Sequence, residues 1–215
     1  QIRPREGTLN EDLDLLKNEN RFKTDLGIQS RISQFGNINL VGFYTHQTNA
    51  IALSGKTDTT STGEIQSLYL NRDQQQYGTE LEIKTRTIDG FAQLFANATY
   101  MYSSKQENTE WQENNEIPNF ITNAGAYLYF DNFDVNIFGK YLSSFESSRF
   151  SADKTPKPLG DFVDLNTTIG YNLDKNNYDA RIYLEINNIL DQEYSTVVGY
   201  PDFGREFTLG IRMQL

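Results

Sequence analysis

The sequence NNILDQEYSTVVGYPDFGREFTLGIRMQL (187 to 215) closes the chain, and its last nine residues decide how the rest is read. Phe207, Leu209, Ile211, Met213 and Leu215 fall on one parity, and Thr208, Gly210, Arg212 and Gln214 on the other. Successive side chains of a strand point to opposite faces, so this is a strand with one apolar and one polar face. The chain around it is polar. Mean hydropathy is −0.61, hydrophobic residues make up 37% of the 215, and 29 acidic side chains outnumber 19 basic ones. A transmembrane helix, which needs a run of about 18 or more apolar residues, is excluded. A membrane is not, because a spanning strand needs only about 9–11 residues with every second one apolar. Aromatics at 13% are too many for a disordered acidic chain. The absence of cysteine rules out a disulfide framework or a thiolate site.

Read backwards, the alternation recurs. In YDARIYLEINN, Tyr178, Ala180, Ile182, Leu184 and Ile186 oppose Asp179, Arg181, Tyr183, Glu185 and Asn187. In FDVNIFGKYLSSF, Phe133, Val135, Ile137, Gly139 and Tyr141 oppose Asp134, Asn136, Phe138, Lys140 and Leu142. FVDLNTTIGY, NFITNAGAYLYF, FAQLFANATYMY, YGTELEIKTRTI and RFKTDLGIQSRIS give further period-2 segments, and NINLVGFYTHQ the least regular one. The total is about nine strands, with EDLDLLKNE read as loop rather than helix. Short turns are predicted at 34–37, 89–90, 131–132 and 173–177, where Gly, Asn and Asp supply positive φ. Long polar connections are predicted at about 51–76, 105–118, 147–160 and 191–204. Outer-membrane barrels have this asymmetry, with strands facing lipid on one side and a polar lumen on the other.

A secreted β-sandwich also alternates, because one face packs on a core. Three features favour the barrel: mid-strand charges at Glu82, Lys84, Arg86, Lys140, Arg181, Glu185 and Arg212, the alternating connection lengths, and aromatics gathered near strand ends. Those aromatics are Phe91, Tyr100, Tyr102, Phe130, Phe133, Tyr141, Phe145, Tyr171 and Tyr178. Aromatic girdles at membrane interfaces predict such clustering.

The segment from Asn187 resembles the C-terminal signature of TonB-dependent outer-membrane receptors, carried here by Asn188, Ile189, Leu190, Asp191, Tyr194, Gly199, Tyr200, Pro201, Gly204 and Arg205, leading into Phe207 and Gly210. LKNENRFKTDLGIQ, YGTELEIKTRTIDGFAQLFANATY and EIPNFITNAGAYLYF resemble the family more loosely, so that the likeness covers nearly the whole chain from about residue 16. One departure is the last residue: such strands usually end in Phe or Trp, and this one ends in Leu215. The resemblance implies an all-β, antiparallel, up-and-down transmembrane barrel of about 22 strands, of which these would be roughly the last nine. Residues 1–20 would be an extracellular loop and 21–215 the barrel strands. It further implies a preceding plug domain and a segment that binds TonB, neither of which lies in this sequence. Strand parity points the same way: with the long connections outside, an odd count starts outside the cell and finishes in the periplasm, so other strands must complete the sheet.

The function so implied is active uptake of a scarce nutrient (siderophore, haem, cobalamin or oligosaccharide) across the bacterial outer membrane. The expected partners are membrane lipid against Phe207, Leu209, Ile211, Met213 and Leu215, the missing strands and plug, the TonB complex, and a ligand or surface lipoprotein at the long loops. Trp111, Tyr194 and Tyr200 are the loop aromatics named as ligand contacts, with interfacial anchoring as their ordinary alternative. A passive porin and a soluble binding or adhesion domain are the rival readings. Other chemistry has little support. Ala50 stands where the first glycine of a P-loop ending in SGKT (54–57) would be. His46 is the lone histidine on which a triad or haem ligand could rest. The sequons at Asn97 and Asn166 fall inside predicted strands, and KQENTEWQENNE lacks EF-hand spacing. No catalytic, metal or cofactor constellation is expected, and a net charge of −10 without a basic stripe argues against nucleic acid.

Overall fold

The computed structural model describes residues 16–32, 36–59, 62–63, 65–148, 150–151, 155–175 and 178–214. The regular structure is all β: β1 (Asn20–Ile32), β2 (Gly36–Thr59), β3 (Ile65–Thr85), β4 (Ala92–Glu107), β5 (Glu110–Glu113), β6 (Phe120–Phe130), β7 (Phe133–Leu142), β8 (Phe145–Ser147), β9 (Lys157–Leu159), β10 (Phe162–Lys175), β11 (Tyr178–Asn187), β12 (Ser195–Val197), β13 (Tyr200–Pro201) and β14 (Glu206–Gln214). Nine long strands form one sheet in the order β1-β2-β3-β4-β6-β7-β10-β11-β14, with β5 added beside β4. They are the nine that the alternation predicts. The path does not close: among the described residues β1 and β14 each have a neighbour on one side only, and β1 is exposed along its whole length.

Two predicted turns have the backbone their sequence requires. Asp89 and Gly90 take φ 47 and 78, and Asp131 takes φ 47. The other two fall partly outside the described residues, as do most of residues 1–20, the helix-or-loop stretch EDLDLLKNE and Leu215. One expectation is corrected. The region 51–76 is not a long loop, because β2 runs on to Thr59 and β3 starts at Ile65, so Ser54–Thr57 lie in a strand. Of the remaining predicted connections, 105–118 holds the end of β4 and β5, which pair with each other, and the other two carry short hairpins, β8 with β9 and β12 with β13.

The chain divides into two compact units. In the larger one (26–42, 78–101 and 115–215) the register stacks residues of like character across strands. Phe207, Leu209, Ile211 and Met213 pair with Ile186, Leu184, Ile182 and Ala180. These continue through Thr167, Ile169, Tyr171 and Leu173 on β10 to Ile137, Val135 and Phe133 on β7, then Ala126, Leu128 and Phe130 on β6. The opposite face carries Asp134, Asn136, Lys140, Asp164, Asn166, Arg181, Glu185 and Arg212. Five apolar side chains are buried among all the described residues, namely Ala50, Ala92, Leu142, Leu159 and Phe162. A sandwich of this size would bury alternate residues of every strand, whereas the apolar side chains of β14 are 63 to 75% exposed.

On the polar face large side chains lie across glycines. Phe95 packs with Tyr127 and Phe138 at 5.4 and 6.2 Å, and a Cβ added to Gly125 would come 2.5 Å from Phe95 Cζ and run into the Ile137 carbonyl. Asp134 receives Nε of Arg181 at 3.1 Å and the guanidinium's second nitrogen on its other oxygen, plus the Asn172 amide at 3.3 Å. This pair is largely withdrawn from solvent, at 27% and 20% side-chain exposure.

The smaller unit (1–25, 43–77 and 102–114) is held by side-chain brackets. Asn49 sits in β2 with φ 55. Asp73 takes its N–H at 2.9 Å and the Asn71 amide donates to its carbonyl at 2.7 Å, as a left-handed residue inside a strand requires. Asn71 also holds both the N–H and the C=O of Lys17.

Candidate functional site at the loop end of the sheet

The signature residues fold into one hydrogen-bonded clasp. Asn188 is 2% exposed and takes φ 50, a conformation asparagine tolerates better than most residues. Its N–H donates to Asn166 Oδ1 at 2.8 Å, its amide donates to the Gln192 carbonyl, and its Oδ1 accepts the Gln192 N–H, both at 3.0 Å. The Gln192 side chain accepts the Val163 N–H at 2.9 Å, while the Ile189 N–H donates to the Leu165 carbonyl at 2.8 Å. Asp191, at φ 52, accepts the Arg205 N–H at 3.0 Å. An added Cβ on Gly204 would lie 3.4 Å from the same Asp191 oxygen. The run 188–195 thus lies along the start of β10, and Asp191 ties the return strand to it.

Tyr194 is the centre of the clasp. Its ring stacks on Phe162 at 3.8 Å and 7°, and its carbonyl accepts the Asp202 N–H at 2.9 Å. Burial first, then the negative charges of Asp164 and Asp202, push its phenol well above the ordinary pKa. Beside it, Leu142, Leu159 and Phe162 make the unit's small apolar core. Gly160 donates to the Ser195 carbonyl at 3.3 Å, which joins the β8–β9 hairpin to the β12–β13 hairpin.

The other named residues stand differently. Gly199, with φ 81, turns the β12–β13 hairpin, and Pro201 lies in β13. Leu190 is exposed, and Tyr200 is 68% exposed, meeting Phe150 edge-on at 6.3 Å. Phe203, three residues on, is 93% exposed. Trp111 lies on β5 in the smaller unit, its ring 6.1 Å from that of His46 and 42% exposed. Sequence reading missed Phe162, Asp164, Gln192 and Asp202, and it set Asn166 aside as a chance sequon. Gln192 and Asp202 lie inside the signature stretch and could have been suspected there. Phe162, Asp164 and Asn166 carry no local signal, since their partners come from the other end of a hairpin.

Aromatics also mark the ends of the apolar face. Phe91 and Phe130 stack at 6.1 Å, and Phe133 meets Tyr171 at 4.7 Å, all at the short-turn end. Phe120 and Tyr141 meet at 6.1 Å at the loop end, where the Tyr141 hydroxyl donates to Asp161 at 3.3 Å. Such paired rows, ring toward the apolar band and hydroxyl toward water, are what a bilayer selects. The Tyr178 side chain lies outside the described residues. Among the described residues no cluster of His, Cys, Asp and Glu could hold a metal.

Residues 7–189 match the family described as TonB dependent receptor-like, beta-barrel. No curated protein matches the sequence. Among solved structures, the ferripyoverdine receptor of the outer membrane of Pseudomonas aeruginosa superposes with a TM-score of 0.71 at 14% identity, over 91% of this chain and 27% of that one. The copper transporter OprC gives 0.69 at 16% identity, over 93% and 32%. The FrpB iron transporter from Neisseria meningitidis gives 0.64 at 16% identity, over 91% and 31%. At these identities the likeness is one of fold, and the chain spans less than a third of the length of each.

Proposed function

Because the chain belongs to the family of TonB-dependent receptor-like β-barrels, we propose that it is the barrel wall of a receptor for energy-coupled uptake of a scarce nutrient across the bacterial outer membrane. The observation that carries this reading is a sheet of nine long strands, apolar on one face and charged on the other, left open at both edges among the described residues. In hydrocarbon each unpaired edge group costs several kcal/mol, so the wall is completed by strands outside this chain. The apolar face, with Phe207, Leu209, Ile211 and Met213, meets lipid; the polar face surrounds a plug; the hairpin-bearing end faces the outside and β14 ends in the periplasm. Siderophore, haem, cobalamin and oligosaccharide remain the substrate classes. Trp111 and Tyr200, exposed at the connections, are the proposed ligand contacts.

The test is steady ion conductance of the complete purified receptor in planar bilayers. A plugged receptor is nearly silent, whereas an open porin conducts as soon as it inserts. Monodispersity without detergent would instead support a soluble β-domain.

A further inference from the structure

We propose that Gln192 is a positioning residue: its side-chain amide takes the place of a strand where β11 ends, and so fixes the last connection, with the β12–β13 hairpin and Tyr200, against β10. β7 accompanies β10 as far as Phe162, whereas β11 pairs with it only from Lys175 to Thr167. Alternate residues of an antiparallel strand turn both backbone groups to the same neighbour. The Asn172 N–H goes to the Asn132 carbonyl on the β7 side, so the odd-numbered residues of β10 address the side that β11 leaves. Asn188, at φ 50, turns the chain out of β11, and the segment after it meets those residues one at a time. The Ile189 N–H donates to the Leu165 carbonyl at 2.8 Å. The Val163 N–H, two residues further along β10, donates to the side-chain oxygen of Gln192 at 2.9 Å. Gln192 is itself held, its N–H on Asn188 Oδ1 and its carbonyl under the Asn188 amide, both at 3.0 Å. The neighbouring contact, Tyr194 stacked on Phe162 at 3.8 Å, sets how far the connection stands from β10. A hydrogen bond is directional and sets where along β10 it stands. That placement passes on to Tyr200, because the Ser195 hydroxyl, three residues after Gln192, meets the Tyr200 carbonyl at 2.9 Å. The role rests on the proposed function only through Tyr200 as a ligand contact.

The test is amide hydrogen exchange of the full-length receptor in lipid nanodiscs, resolved to single residues by fragmentation in the mass spectrometer. A spin label at Thr196→Cys on β12, where the side chain is exposed, gives a second readout. Gln192→Met keeps the length of the stem and removes the acceptor. The Val163 amide should then exchange roughly tenfold faster, the loss of about one net hydrogen bond, and the label should become more mobile. The Ile169 amide, on the same side of β10 but opposite Leu184 of β11, should keep its rate. Gln192→Glu keeps an oxygen at the same reach, and a charged acceptor holds an N–H at least as well, so it should leave Val163 and the label as in the parent. Equal Val163 exchange in the parent and in Gln192→Met overturns the proposal. So does a Gln192→Glu variant as fast as Gln192→Met, since the acceptor oxygen would then not be what acts. Faster Val163 exchange with an unchanged label overturns it too, because the bond would seal β10 without placing the hairpin. Steady conductance of the complete barrel would overturn the uptake reading and leave these results standing.

Discussion

Replacing Ile137 by lysine tests the two-solvent reading of the sheet directly. Ile137 lies on the apolar face of β7, midway between Phe133 and Tyr141, which stand eight residues apart. At about 3.3 Å per residue that is roughly 26 Å along the strand, and a tilt of about 35–45° reduces it to about 20 Å of membrane depth. Ile137 is then about 10 Å from either interface, too deep for the four-carbon lysine stem to reach water easily. A lysine on the lipid face near the midplane costs about 2–4 kcal/mol. The comparison is Asn97→Lys, on the polar face, where Asn97 is exposed and accepts one hydrogen bond from Asn123 at 2.8 Å. Losing that bond costs about 0.5–1.5 kcal/mol. The assay is urea unfolding of the full-length receptor in lipid vesicles, followed by the heat-modifiable shift of the folded barrel on gels. Equal costs, or a larger one for Asn97→Lys, would refute the assignment of the apolar face to hydrocarbon.

Gly125→Ala should lower stability by about 1–3 kcal/mol, because the new methyl meets Phe95 and a backbone carbonyl that cannot yield; Gly139→Ala, whose nearest neighbour would be 3.6 Å away, should be near neutral in the same thermal scan. Arg181→Met leaves Asp134 with the Asn172 amide alone and should cost about 1–3 kcal/mol, the usual penalty for a broken buried pair reduced for partial exposure; Arg181→Met with Asp134→Asn should recover part of it in urea midpoints. Asn188→Ala removes two side-chain hydrogen bonds and strains φ 50, so it should cost about 2–4 kcal/mol, whereas Asn188→Gly keeps the backbone relaxed and should cost less. Tyr194 has its folded pKa raised, so its stability contribution is fully present below the unfolded value of about 10 and is lost as pH rises above it; the stability deficit of Tyr194→Phe should therefore narrow between about pH 8 and about pH 11.

The sequence made the nine long strands visible for a physical reason: wherever the two faces meet different solvents, the period of two is written into residues such as Ile182, Leu184 and Ile186 against Arg181, Tyr183 and Glu185. Where both faces meet water the alternation has no cause. The run SGKTDTTSTGE (54–64) is polar on both parities, and the region reads as loop although β2 continues to Thr59 and β3 begins at Ile65. The turns at Asp89 and Asp131 were legible because positive φ has a residue signature. The clasp was legible only by half. Asn188, Asp191 and Tyr194 stand out as a pattern, but the partners that give them a role, Phe162, Asp164 and Asn166, belong to β10 and become neighbours only when the hairpin forms.

The strand count and the clasp bear on one another. Neighbouring strands in the path alternate in direction, so the first and last of nine point the same way, and β14 cannot close antiparallel onto β1. A closed antiparallel barrel containing these nine therefore needs an odd number of further strands between them. One of the two open edges is β14, which among the described residues pairs only with β11, over Glu206–Gln214. Its register is set at one end, where the Arg205 N–H is held by Asp191 and Asp191 in turn donates its own N–H to the Asn188 carbonyl at 2.9 Å. A slip of one residue there would turn Phe207, Leu209, Ile211 and Met213 to the polar face and Arg212 to the apolar one. The clasp at the loop end thus fixes which face of the sheet carries the apolar residues of β14.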